Sequence, residues 1–73
     1  MRISSIEIEN LDTKITQTYN RIGKVEYSHR VPYYNLLNNE GLVIARAPVP
    51  KHYNEYASKI TLITSGRRYT YNK

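Results

Sequence analysis

A chain of 73 residues without a single cysteine must hold itself together by packing alone. No disulfide and no thiolate–metal site can staple it. At this size one small core barely outweighs the entropy lost on ordering the chain. Either the core is efficient, or a partner chain completes it. The aromatic usage points to how the shortfall is met. There are eight tyrosines, no Trp and no Phe. Each tyrosine buries a large ring and keeps a hydroxyl that needs a hydrogen bond.

The hydrophobic pattern is that of strands. Ile6 and Ile8 alternate with Ser5, Glu7 and Glu9, which predicts a strand over residues 4–10. Asn10-Leu11-Asp12 predicts a turn, because Asn and Asp side chains bond nearby backbone. Residues 13–19 place Ile15 and Tyr19 in phase, and β-branched Thr13, Thr16 and Thr18 also favour a strand. Over 24–31, Val25, Tyr27, His29 and Val31 alternate with Lys24, Glu26, Ser28 and Arg30, the signature of a half-buried strand. With Asn20-Arg21-Ile22-Gly23 as the turn, 13–31 predicts a hairpin. In residues 33–39, Tyr33, Leu36 and Leu37 have helical spacing after Pro32, which predicts a helical turn or irregular loop. Leu42-Val43-Ile44-Ala45 is an apolar run that predicts a strand buried on both faces.

Beyond Pro48-Val49-Pro50 the period changes. Tyr53, Tyr56, Ala57 and Ile60 share one helical face, which predicts a short helix near 50–58. The end of the chain reads as a hairpin closed by Ser65-Gly66. A two-residue loop pairs Thr64 with Arg67, Leu62 with Tyr69 and Ile60 with Tyr71 on one face, and Ile63 with Arg68 and Thr61 with Thr70 on the other. Ile60 cannot serve both this hairpin and the helix. The expectation is a single β-rich α+β domain spanning 1–73. It would have about five short, mostly antiparallel strands in a small sheet or barrel, with one short helix. Connections this short leave no room for parallel crossovers.

Charge is unevenly placed. Up to residue 40, five cations oppose five acids; after it, six cations oppose Glu55 alone, so the whole net charge of +5 lies there. Such asymmetry points to an anionic partner, or simply to solubility. Nothing at the start has the apolar run of a signal peptide, and no stretch approaches a membrane span, so a cytoplasmic setting and no membrane partner are expected. Frequent Asn, Ile, Tyr and Lys suit an AT-rich genome such as many phages have.

Catalysis has few parts to draw on. Nucleophiles are limited to hydroxyls and lysines, each of which needs an activating base. His29 reads as a structural histidine within a strand, and His52 has only Glu55 and Tyr56 at helical spacing. That falls well short of a metal signature. The glycines stand singly at 23, 41 and 66, so no phosphate-cradling loop exists. Glu7 and Glu9 read as a solvated face. Arg67, Arg68, Tyr69, Tyr71 and His52 are the parts of a metal-independent ribonuclease, but nothing places them together.

Binding is therefore the expected function, with no enzyme activity and no cofactor. The candidate residues are Arg46, Lys51, Tyr53, Lys59, Arg67, Arg68, Tyr69 and Tyr71. Arg and Tyr serve protein hot spots and single-stranded nucleic acid equally well. Tyr69 and Tyr71 also read as core residues opposite Leu62 and Ile60. The leading expectation is a protein-binding module of phage or mobile-element type that uses a Tyr/Arg surface and a strand edge, expected at the outer strand of the terminal hairpin, with a homodimer as one form. The alternative is a basic nucleic-acid-binding accessory protein. A single contiguous patch of Lys51, Lys59, Arg67 and Arg68 would favour nucleic acid; dispersal would favour a protein partner.

Overall fold

Asn10 makes the first turn. Its side-chain Oδ1 accepts from the backbone N–H of Asp12 (2.9 Å) and Thr13 (3.1 Å), and Lys14 takes a φ of 64° to reverse the chain. This closes β1 (Ser5–Asn10) against β2 (Thr16–Tyr19), with Ile6 opposite Tyr19 and Ile8 opposite Gln17. The computed structural model describes residues 3–28, 32–50 and 56–73. Five further strands follow: β3 (Lys24–Ser28), β4 (Tyr33–Leu37), β5 (Val43–Pro48), β6 (Lys59–Thr64) and β7 (Arg67–Asn72).

The strands form two open sheets in which every neighbouring pair is antiparallel. The first has the order β2-β1-β7-β6 and the second β3-β4-β5. Their apolar faces share one core. Ile3, Ile6, Tyr69 and Tyr71 come from the first sheet's side and Leu36 and Ala47 from the second. Thus the β-rich reading holds. Among the described residues, seven strands replace the five expected, and two open sheets replace the single sheet or barrel. No helix occurs among the described residues. Of the helix expected near 50–58, residues 51–55 lie outside the described residues, and residues 56–58 are turn and bend. Ile60 belongs to the hairpin.

The terminal hairpin forms in the predicted register at every pair. Ser65 (φ 53°) and Gly66 (φ 74°) both sit in the left-handed region, as a type I′ turn requires. The hairpin predicted over 13–31 does not form. The Asn10 turn gives β2 to β1, and residues 20–23 instead carry the chain from one sheet to the other. Val25 does face the core while Lys24 and Glu26 are exposed. Tyr27 is half exposed, because β3 is an edge strand and its ring lies at the rim against Tyr34. His29, Arg30 and Val31 lie outside the described residues.

The segment expected to be helical or irregular is the central strand of the second sheet. Tyr34 and Leu36 point inward, and the register shifts between Leu36 and Leu37, so two adjacent leucines are both buried. Asn38 closes the next turn, its Oδ1 accepting from Glu40 and Leu42. The apolar run that begins at Leu42 is not buried on both faces. It starts an edge strand, and Leu42 and Val43 remain largely exposed.

Gly23 lies where the two sheets are joined. Its N–H donates to Leu37 (2.8 Å), and a Cβ there would meet the Asn38 carbonyl oxygen at 3.0 Å and carbon at 3.1 Å. Backbone cannot yield as a side-chain tip can. Gly23→Ala is expected to destabilise the domain by about 1–3 kcal/mol, read as a lower thermal midpoint.

Candidate functional site

The candidate cations do not gather. Arg46 is exposed on the outer face of the second sheet, in a row with Asn35 and Glu26. Lys59 and Arg68 are on the outer face of the first sheet, where they border one depression together with Glu7 and Glu9. Arg68 is held by Glu9 in a salt bridge of 2.8 Å, across the β1–β7 pair. Arg67 points the other way, beside Ile8, Ile15 and Gln17 at the open end of the sandwich. Lys59 lies at the far end of the hairpin from Arg67, roughly 16 Å along the strand at ~3.3 Å per residue. Lys51 and Tyr53 lie outside the described residues. Among the described residues there is no single basic patch.

Tyr69 and Tyr71 are core residues. They are almost fully buried, stacked on each other with ring centroids 6.5 Å apart, and offer no face to a base. The hydroxyl of Tyr71 donates to the Pro48 carbonyl and so ties the first sheet to the second. Burial, and then the neighbouring Tyr69, Tyr34 and Tyr33, push its phenol well above the ordinary value of 10.0. The neutral phenol is the favoured form, so this stabilisation is complete below pH about 10 and is lost as pH rises through the folded pKa. Tyr71→Phe is expected to lose about 0.5–1.5 kcal/mol at neutral pH. It should also show a flatter fall in stability above pH 10 than the parent, by urea midpoints on either side of that value.

The pinned Pro48 forms one wall of a cleft of about 380 Å³. Pro32, Tyr33, Pro48, Val49 and Pro50 line one side, and Ile60, Thr61, Leu62 and Thr64 of β6 the other. Val49 donates its N–H to the Pro32 carbonyl (2.8 Å), which braces the proline wall. The cleft is therefore apolar, open and largely preformed, as binding sites commonly are.

The outer edge of β6 borders this cleft, and no described strand pairs with it there. The parity of its hydrogen bonds follows from the turn. A two-residue loop makes Thr64 and Arg67 a hydrogen-bonded pair, so Leu62 and Ile60 also bond to β7. The Lys73 N–H donating to the Ser58 carbonyl (3.1 Å) continues that series. The N–H and C=O groups of Lys59, Thr61 and Ile63 thus point away from β7. β6 is also the edge least defended against an incoming strand. β2 has four residues, β3 carries both Lys24 and Glu26, and β5 begins at a register shift and ends in Pro48. β6 runs Lys-Ile-Thr-Leu-Ile-Thr, with one charge and with Ile63 58% exposed.

Sequence reasoning anticipated an available strand edge at the terminal hairpin but placed it on the outer strand at the chain end. β7 is interior, between β1 and β6; the edge is β6. The cleft was missed. Its only trace in the sequence is Pro48-Val49-Pro50, a segment unable to donate to a ladder. Among the described residues no group of His, Asp and Glu is placed to hold a metal, and no helix is long and apolar enough to cross a membrane. No protein-family model, curated protein or solved structure matches this chain.

Proposed function

We propose that this chain is a non-enzymatic protein-binding module that works by strand addition at β6. An extended segment of its partner would hydrogen-bond to the backbone of Lys59, Thr61 and Ile63. Alternate side chains would enter the cleft beside Ile60 and Leu62. The observation that carries this reading is the pairing of a long, weakly defended edge with an apolar cleft directly beside it. Main-chain bonds give such a complex its affinity, and the cleft gives it selectivity.

Arg46, Arg67 and the pair Lys59 and Arg68 lie on three different faces, and Arg68 is already matched by Glu9, which supports a protein partner over nucleic acid. Phosphate recognition of useful affinity needs several cations along one track. Titration of isotope-labelled chain, with amide shifts as the readout, separates the two. Extended peptides are expected to shift the amides of residues 59–64. A single-stranded oligonucleotide is expected to bind weakly, with no saturation at physiological salt. Saturable oligonucleotide binding that is lost in the Arg67→Ala, Arg68→Ala double variant would overturn the protein-binding reading.

A further inference from the structure

We infer that the strand added at β6 comes from another protein, with apolar and acidic side chains in alternation, and is not a second copy of this chain. This rests on the strand-addition reading above and specifies its partner. Residues 56–73 carry Lys59, Arg67, Arg68 and Lys73 and no acid at all. Of these, Arg68 is matched by Glu9. Lys59 faces Asn72 on β7, so no carboxylate lies opposite it in the ladder; the acids of that face, Glu7 and Glu9, stand two strands away on β1 and border the same depression.

The pleat then dictates what an incoming strand must present. Its residues opposite Lys59, Thr61 and Ile63 share the outer face of the first sheet with those side chains, where an acid can reach Lys59. The residues between them fall on the cleft side, beside Ile60 and Leu62, where only apolar groups avoid a desolvation penalty. Period two therefore separates the two requirements cleanly.

A second copy meets the apolar requirement and fails the charged one. Antiparallel pairing of β6 with itself must join outward-facing residues, and centring it on Thr61 sets Lys59 opposite Ile63 of the second copy. The cross-strand neighbour of that Ile63 is Arg68, whose own acid Glu9 is already engaged, so the new row brings Lys59 a second cation and no uncommitted carboxylate. Each copy brings a net charge of +5 to the encounter. An acidic strand gains from the same field that repels a copy.

The test uses two end-blocked peptides of about eight residues, one alternating Val with Glu and the other Val with Lys. Each is titrated into the labelled full chain, with amide shifts over residues 59–64 as the readout. The Val/Glu peptide is expected to shift those amides and to bind at least about tenfold more tightly than the Val/Lys peptide. Lys59→Glu should weaken the Val/Glu peptide about threefold to tenfold. Equal binding of both peptides at β6 would remove the acidic preference and leave strand addition standing. Dimerisation of the chain alone, with the amides of Lys59, Thr61 and Ile63 protected in the dimer, would replace the acidic partner by a second copy. No shift at β6 with either peptide, in a monomeric chain, would remove strand addition itself.

Discussion

Replacing Leu36 by Ala will strip about 2–5 kcal/mol from the domain. Leu36 is wholly buried, in the middle strand of the second sheet, and lies in one core with Ile6, Tyr69 and Tyr71. Its cross-strand neighbours are Val25 and Ala45. Neither can swing into the space that a lost isobutyl group leaves, since both are short and anchored in flanking strands. Domains of this length have roughly 4–11 kcal/mol of stability to lose, at about 0.05–0.15 kcal/mol per residue. Leu36→Ala should therefore be partly unfolded at physiological temperature, seen as a broad loss of amide dispersion and a low urea midpoint. Leu42→Ala, one turn away on an exposed site, should change the midpoint little. If the two variants behaved alike, residues 33–37 would not be the core strand described.

That strand was the least legible part of the sequence, for a physical reason. A strand is recognised by alternation, and Leu36 and Leu37 are adjacent apolar residues after a tyrosine at helical spacing. The register shift between them allows both to be buried, and such a shift leaves no mark in a periodicity. The terminal hairpin was legible in full because its turn, its alternation and its cross-strand pairs all agree on one register. Residues 13–31 show the opposite situation. Turn-forming residues stand on both sides of β2, and the competition is settled by Asn10, whose side chain satisfies two backbone donors. As for the site, the cations could be named from the sequence, but their faces could not. Arg67 and Arg68 are neighbours on one strand and for that reason point to opposite sides of the sheet. The cleft joins residues 32–33, 48–50 and 60–64, and no local pattern could bring these together.

Two proline substitutions one position apart should have opposite consequences. The Leu62 N–H bonds to β7, so Leu62→Pro removes a ladder bond from the hairpin that supplies Tyr69 and Tyr71 to the core. A loss of about 3 kcal/mol or more is expected, enough to unfold much of the population. The Thr61 N–H points outward. Thr61→Pro leaves the β7 ladder intact and should cost less than about 1 kcal/mol, as prolines on edge strands generally do. It should nevertheless abolish strand addition, because the central donor at the edge is gone and the ring obstructs the incoming backbone. Thermal midpoints and peptide titrations on the same two proteins would show this inversion. A Thr61→Pro variant that folds and still binds would mean that the partner docks elsewhere.

Amide hydrogen exchange along β6 tests the availability of this edge most directly. In the chain alone, the amides of Ile60, Leu62 and Thr64 should be protected by their bonds to β7. Those of Lys59, Thr61 and Ile63 should exchange as solvent-facing groups, giving an alternation of slow and fast through six consecutive residues. With an acidic extended peptide at saturation, the three fast amides should become slow and the three slow ones remain so. Uniform protection of all six in the monomeric chain without peptide would show that the edge is already occupied, and would contradict strand addition at β6.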